Sequence, residues 1–292
     1  MKISVAMAFS QHTATGFIKE AVQLVEAKGV HGIWVPEHVL FFPEYASTYP
    51  YSDNGRIPGD PEGILDPFTA LTFIAAHTER VRLGTGICLV PQRQPVYTAK
   101  MVADVDYLSN GRMDFGVGIG WLKEEFENLD MDFSTRAART EEYILAMRAL
   151  WSDGVSEFSG QTVSLQPCHF NPKPVQKPYP PIYFGGESDG AMRRVARLGD
   201  GWIPLMGAND KAQACIDTIK ATREAAGLSF DNFGIQAQAQ YAGGSPERWQ
   251  KHAQAWQDMG CTHIAIATHN AGPTDVDGHL SRIREYQDAI SG

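Results

Sequence analysis

The sequence predicts a (β/α)8 barrel, the TIM-barrel architecture, as one domain over residues 1–292. Three observations carry that expectation. Apolar strand-like runs alternate with helix-period stretches along nearly the whole chain, eight times in all. The length of 292 residues is typical of one such barrel. No glycine-rich nucleotide loop follows the first apolar run at Met7. A doubly wound open sheet alternates in the same way, but rarely reaches eight strands without such a loop.

The elements follow in order. Ile3 to Met7 is the first strand, and Phe17, Ile18, Ala21, Val22 and Val25 mark the first helix before Gly29. Gly32 to Val35 is a short buried strand. Asp66 then caps a helix with Pro67 in its first turn, running to about Thr78, and Val81 to Ile87 is the third strand. Pro95 opens a helix to Leu108, and Met113 to Val117 is the fourth strand. Ser134 caps a long helix with Tyr143, Met147, Leu150 and Trp151 on one face. Pro181 to Phe184 and Gly201 to Leu205 are strands five and six, their helices carrying Met192, Val195 and Ala196, then Asp210 to Ala226. The seventh strand lies near Phe233 to Ala239, before a helix capped by Ser245-Pro246 and bearing Trp249, Ala253 and Trp256. His263 to Ala267 and a helix with Val276, Leu280 and Ile283 complete the set.

Composition narrows the function. Hydrophobic residues are 43% and charged residues 20% of the chain, with a formal net charge of -9, so the chain is globular and no basic block offers a nucleic-acid surface. The start lacks a signal peptide and no segment is apolar enough to span a bilayer. Four scattered cysteines (Cys88, Cys168, Cys215, Cys261) without CxxC spacing point to reduced thiols and a cytoplasmic protein. Two segments exceed ordinary loop length, 41–65 and 153–180. The first leaves a strand at its C-terminal end, where barrel enzymes work, and is the expected active-site lid.

Candidate chemistry sits just beyond the strands. After strand two stand Glu37 and His38, a proton-shuttling histidine or an inert polar pair in which Glu37 orients His38. After strand three, Gly84 and Gly86 bend the backbone, either shaping the barrel or making a ledge under a flat ring. Gly116, Gly118 and Gly120 strip side chains from one face of strand four, for a planar ligand or for crowded packing. Their GxGxG spacing is no dinucleotide fingerprint. After strand five, Gly185, Gly186, Glu187 and Ser188 open a helix, a place for a phosphate on free amides. Ser188 either donates its hydroxyl or caps the helix. Metal-ligand motifs are lacking, as are a GxSxG elbow and a strand-end lysine, so no metal site is expected and a bound cofactor would supply the reactivity.

Five ordered motifs give the chain a relationship. WVPEH at 34–38, LGTGI at 83–87, LSNGR at 108–112 with GVGIGW at 116–121, PPIYFGGES at 180–188 and RLGDGW at 197–202 resemble the bacterial-luciferase-like family. The likeness covers roughly residues 1–205 and is greatest to the short, single-barrel members described as F420-dependent oxidoreductases. It implies FMN or F420 at the C-terminal face, with a cis peptide between Gly86 and Ile87 behind the ring. It further implies Gly118 and Gly120 along the ribityl side, the cofactor phosphate at Gly185, Gly186, Glu187 and Ser188, and His38 beside ring or substrate as the catalytic residue. True luciferases carry an arginine after strand four where this chain has Ile119, a departure that favours F420; Arg93 or Arg194 are candidate substitutes.

The expected activity is therefore hydride transfer from reduced F420 to a small organic substrate. The alternative is an FMNH2-dependent two-component monooxygenase, fed by a separate reductase because the chain has no nicotinamide-binding unit. From other classes stand a sugar-phosphate isomerase using Glu37 and His38, and a non-catalytic flavin-binding barrel. Tyr45, Tyr49, Tyr51 and Trp121 are candidates for the pocket wall. The resemblance implies a homodimer through helices two and three, around Phe68, Leu71, Val102 and Val105, faces that equally suit packing on the barrel.

Overall fold

The computed structural model of the protein describes residues 1–52, 54–57, 63–272 and 274–291. Its strands and helices alternate as β1 (Lys2–Ala6), α1 (Thr15–Ala27), β2 (Gly32–Val35), α2 (Pro67–Ala75), β3 (Arg82–Thr85), β4 (Cys88–Leu89), α3 (Pro95–Leu108) and β5 (Met113–Gly118). After α4 (Lys123–Asn128), α5 (Arg136–Trp151) and the β6 (Ser156–Ser159) to β7 (Ser164–Cys168) pair come β8 (Ile182–Gly185), α6 (Asp189–Leu198) and β9 (Gly201–Ile203). The chain ends through α7 (Asp210–Ala225), β10 (Gly234–Gln240), α8 (Pro246–Asp258), β11 (His263–Ala267) and α9 (Val276–Ser291). The sheet runs β3-β2-β1-β11-β10-β9-β8-β5-β4, all parallel, and the β3–β5 pairing closes it into an eight-position barrel.

Capping follows the sequence at most helix starts: Asp66, Gln94, Ser188, Asn209 and Ser245 each accept the amide three residues on. Ser134 does not cap α5; its amide and hydroxyl both bond the Asp132 carboxylate, and Thr135 precedes the helix. The third strand is split. Its first half pairs Leu83 with Met113, its second pairs Cys88 with Val117, and the cis Gly86–Ile87 bond lies between them. The segment 153–180 is no lid: part of it folds as the antiparallel β6–β7 hairpin. Phe68, Leu71, Val102 and Val105 are buried within the chain's own core, so they are unavailable to a partner. The outward residues of α3 are Tyr97, Tyr107 and Leu108.

The barrel interior is layered. At the N-terminal end Arg82 clamps the Asp114 carboxylate, Nε to Oδ2 at 2.7 Å, and the His31 and His263 rings lie 5.1 Å apart. Above them Trp34 and Tyr183 meet edge to face at 5.6 Å, with Ile203 and Ala265 beside them. Glycines make room for these rings. A Cβ on Gly84 would sit 2.4 Å from the Trp34 ring, and one on Gly201 would sit 2.3 Å from Tyr183. Glycine on β5 answers the packing alternative of the sequence in the same way. A Cβ at Gly116 would lie 1.9 Å from the Thr85 carbonyl oxygen, and one at Gly118 would lie 2.1 Å from Ile87 Cδ1.

Two predictions follow from these layers. Burial first, then the positive charges of Lys2 and Arg82, lowers His31 to about 4; burial, His31 and the same cations lower His263 to about 3. Unfolded histidines take protons near 6.5, so the folded state is stabilised above that pH and loses ground as pH falls towards 4. Melting temperature is expected to drop between pH 6.5 and 4, with a shallower slope in the H31Q/H263Q double variant; equal slopes would exclude this pair as the cause. Gly118→Ala is expected to cost about 1–3 kcal/mol in urea denaturation, because the Ile87 side chain can swing aside. Gly116→Ala should cost more, since its obstacle is backbone.

Candidate functional site

The loops leaving β1, β2, β5, β8 and β10 surround a cavity of about 1260 Å³ at the C-terminal end of the barrel. Trp34 closes its floor, and Gly86, Ile87, Gly118, Gly120, Gly185, Gly186, Glu187, Ser188 and His38 all line it. The structure therefore brings every candidate site residue to one cavity. Backbone form explains two of the glycines: Gly120 has φ +77° and Gly186 φ +106°, values an L side chain rarely adopts. Ser188 Oγ accepts the Ala191 amide at 3.2 Å, so its oxygen serves as the cap.

His38 is held from two sides. Its Nδ1 lies 3.0 Å from Glu125 Oε2, and Trp121 Nε1 donates to its Nε2 at 3.4 Å. These partners assign the proton to Nδ1. Glu125 is fully buried and does more than orient the ring. Its Oε1 accepts the amides of Val39 at 2.7 Å and Leu40 at 3.0 Å, while Gln92 donates to Oε2 at 2.9 Å. Burial works to raise the Glu125 pKa, but the hydrogen bond and charge of His38, the Leu40 amide and Gln92 outweigh it and hold it below the usual carboxylate range. The arrangement is a buried carboxylate fixing a histidine tautomer and able to stabilise its protonated form.

Of the two sequence readings, the one in which Glu37 orients His38 fails. Glu37 turns away from His38: its Oε2 accepts the Leu89 amide at 2.5 Å and its Oε1 accepts Arg93 Nε at 2.5 Å. Arg93 also pairs with Asp66. Both charges are thus spent joining the loop after β2 to β4 and α2, and Arg93 is not free to hold a phosphate. Glu125 was missed because it sits among Glu124 and Glu127 on a short polar helix that looks solvated. The available signal was the lone apolar Phe126 in the acidic run KEEFEN, which the structure buries together with Glu125.

The described part of 41–65, the segment expected as a lid, lines the cavity; Asp53 and residues 58–62 lie outside the described residues. Phe41, Thr48, Tyr49, Pro50, Tyr51, Ile57 and Ile64 face the cavity. Tyr45 and Tyr49 pack edge-on against Trp121, at 5.5 Å and 5.1 Å, so three of the proposed wall aromatics form one cluster with the fourth, Tyr51, against Tyr49. Glu124 ties the segment down, its Oε1 accepting the Ala46 amide at 2.6 Å and the Ser47 amide at 3.1 Å. Burial works to raise the Glu124 pKa, but the Ser47 hydroxyl and the backbone amides together outweigh it and bring Glu124 down to about 2. Tyr51 is raised to about 12 by burial, then by the charges of Glu187 and Tyr49, so it stays a neutral phenol.

A barrel with a glycine-edged cavity and a carboxylate-held histidine has relatives. The model of the luciferase-like monooxygenase family matches residues 1–290. The chain belongs to that family. The family is described by an oxidoreductase activity, the class that the sequence reading placed first. An uncharacterized protein of Mycobacterium tuberculosis is 33% identical over 184 residues, 63% of this chain and 65% of that relative, so the match spans just under two thirds of its length. The oxygenase component of the flavin-dependent trigonelline monooxygenase of Acinetobacter baylyi is 31% identical over 166 residues, 56% of this chain and 41% of that protein. Among solved structures, monooxygenase RslO1 from Streptomyces bottropensis superposes with TM-score 0.81 at 20% identity, covering 100% of this chain and 99% of that one. The coenzyme F420 dependent tetrahydromethanopterin reductase from Methanopyrus kandleri gives TM-score 0.76 at 15% identity, covering 99% and 100%. At those identities the likeness is one of fold. No described helix is long and apolar enough to cross a membrane.

Replacing Glu125 with Gln removes the negative charge that three N–H groups and His38 share. The expected cost is on the order of 2–4 kcal/mol in chemical denaturation, together with weakened order of the Val39–Leu40 backbone by hydrogen exchange. A variant as stable as the parent would show that the carboxylate does not hold the loop.

Proposed function

We propose that this protein binds a reduced deazaflavin, F420, in the cavity above Trp34 and reduces a small organic substrate there, with His38 as its proton-handling residue. The observation that carries the reading is the His38–Glu125 pair opening onto a large cavity edged by Gly118, Gly185 and Ile87. The residues fit such a cofactor. A flat ring needs a close backbone approach, which the side-chain-free positions offer, and its anionic tail needs donors, which Arg136 and Arg194 on the cavity wall offer. Gly86, Ile87, Gly118 and Gly120 would hold the ring and ribityl chain, and Gly185, Gly186, Glu187 and Ser188 the start of the tail. When bound, reduced F420 supplies a hydride, whereas reduced FMN supplies electrons to oxygen.

The chain's own residues have three tasks in this reading. His38 takes or gives a proton at Nε2, once the long Trp121 bond to that atom is released, and Glu125 stabilises the imidazolium from Nδ1. Trp121, Tyr49 and Tyr51 wall the cavity against water, and Tyr45 packs on Trp121 without lining the cavity itself. Ile87 and Trp34 present apolar surface beneath the ligand. Ile119, where true luciferases carry arginine, is the reason for placing F420 first. The FMN reading is favoured by a different observation, the likeness to a flavin-dependent oxygenase component, and under it a separate reductase delivers reduced cofactor. A homodimer and a cytoplasmic setting belong to the same proposal.

Paired equilibrium titrations with oxidised and reduced F420 and FMN decide between the cofactors, with tight binding of F420 alone the expected result. Preference for reduced FMN would replace hydride transfer with the two-component oxygenase, and binding of neither would defeat both. With the bound cofactor saturating, His38→Ala is expected to lower turnover by about 10²-fold while leaving cofactor affinity within a few-fold. An unchanged rate would remove His38 from the chemistry.

A further inference from the structure

We propose that Gln238 and Gln240, on the wall formed by β1, β10 and β11, select a substrate with an uncharged amide-like group, one that both donates and accepts hydrogen bonds. The inference rests on the cofactor reading above, because it takes the ring to lie along Ile87, Gly118 and Gly185, and it names the class of molecule placed against that ring. Around the closed barrel, β1 stands opposite β8, β11 opposite β5, and β10 opposite the split third strand. A planar ligand on the glycine-edged strands therefore turns its free face towards β1, β10 and β11. His38, leaving β2, stands beside that gap.

The sequence of β10, GIQAQAQ, alternates with period two. Ile235, Ala237 and Ala239 belong to the core outside the barrel, which leaves Gln236, Gln238 and Gln240 on the inner face. Branched apolar side chains usually fill a barrel interior, so three carboxamides in a row are a costly choice. Gln236 is fully buried below the cavity. Gln238 and Gln240 line it, about 7 Å apart along the strand. Gln238 Nε2 makes a long bond of 3.4 Å to the Gln236 carbonyl, which a ligand oxygen at ordinary distance would improve on. The backbone beneath is fixed. Gln238 pairs with Ala265 and Gln240 with Ala267 in the parallel ladder, and Trp249 Nε1 donates to the Gln240 carbonyl at 3.2 Å.

Neighbouring strands leave the glutamines uncovered. Ala6, Ala8 and Ala267 line the same wall, where longer side chains would fill the space. His269 stands above them, on a turn whose Thr268, Ala271 and Gly272 carbonyls accept from Arg282 at 3.0, 3.2 and 2.9 Å. Charge then decides the class. Among the described residues, the charged groups lining the cavity are Glu37, Arg136, Glu187, Arg194 and Lys211, and none lies on β1, β10, β11 or the loops that leave them. A carboxylate or phosphate would find no cation on this wall. A hydrocarbon would take water from two carboxamides and return no hydrogen bond. A lactam or carboxamide meets both needs, its N–H donating to one glutamine oxygen and its C=O accepting from the other glutamine's nitrogen.

Three bicyclic probes of similar size test this on the full chain: the lactam carbostyril, quinoline, which keeps one acceptor and lacks the donor, and the anion of naphthoic acid. Titration calorimetry of the cofactor-loaded protein is expected to show carbostyril binding ~10-fold more tightly than quinoline, with naphthoate weakest. In Gln238→Leu that preference should shrink to within about two-fold with quinoline affinity retained, and Gln240→Leu should lose part of it. Gln240 is exposed at the end of its strand, so its variant carries the test should Gln238→Leu fail to fold. A lactam preference that survives both substitutions or is absent from the parent, or naphthoate binding as tightly as the lactam, overturns the assignment while leaving cofactor binding intact. Failure to bind F420 and FMN is a different result and defeats the cofactor reading. The same probes titrated into the unloaded protein then decide: a lactam preference lost in Gln238→Leu upholds the glutamine pair, and no preference removes it.

Discussion

Two aromatic side chains fill the barrel, and the functional cavity depends on the room that neighbouring strands give them. Trp34 and Tyr183 lie where a closed ring of eight parallel strands must pack its own centre. Neither ring fits beside a strand bearing ordinary side chains: Gly84 lies against Trp34, and Gly201 and Gly234 lie against Tyr183. The glycines thus serve first to let the barrel close around bulky contents. Because that plug stops at Trp34, the space above remains empty enough to receive a large planar molecule. Below it, the Arg82–Asp114 clamp and two neutral histidines occupy the opposite end. Stability and site therefore occupy successive layers along one axis.

Above the plug, one short helix organises the mouth. Glu124 and Glu125 are adjacent in sequence, yet they do different work because α4 turns one towards the lid and buries the other. Glu124 holds the Ala46 and Ser47 amides; Glu125 holds Val39, Leu40, Gln92 and His38. Each carboxylate satisfies amides in loops that have no strand or helix partners of their own. Lid position and histidine orientation are consequently fixed by the same six residues, Lys123–Asn128. Displacing α4 would disturb both at once, which links entry to the cavity with the geometry of its proton-handling group.

Much of the barrel was legible because its strands are apolar runs bounded by glycine and its helices carry caps and faces of period 3.6. The motif residues at the strand ends also read correctly as neighbours, since a barrel gathers all C-terminal ends on one face. What failed to read was partnership. Glu37 stands next to His38 in sequence, but successive residues leave a strand in different directions, and Glu37 meets Arg93 while His38 meets a residue 87 positions later. The same limit hid Arg136 and the division of the third strand. Apolar faces left two readings open: Phe68, Leu71, Val102 and Val105 suit an interface or the barrel equally well in sequence, and the structure spends them on the core beneath.

The charge pattern around the cavity sharpens the chemical reading. At the β2 end a carboxylate held by three other N–H donors faces a histidine, so positive charge on the imidazole is supported there. At the α5–α6 end two guanidiniums exceed their carboxylate partners, so negative charge is supported there. The rest of the wall mixes glycine, isoleucine and tryptophan with polar groups such as Gln238, Gln240 and His269. A ligand lying along this axis would carry its anionic tail at one end and a proton-exchanging centre at the other, with an apolar plane between. That polarity sets the orientation before any substrate contact is made. Reversing the ligand would place an anionic group beside the buried Glu125 carboxylate and away from Arg136 and Arg194, so electrostatics favours one direction of binding.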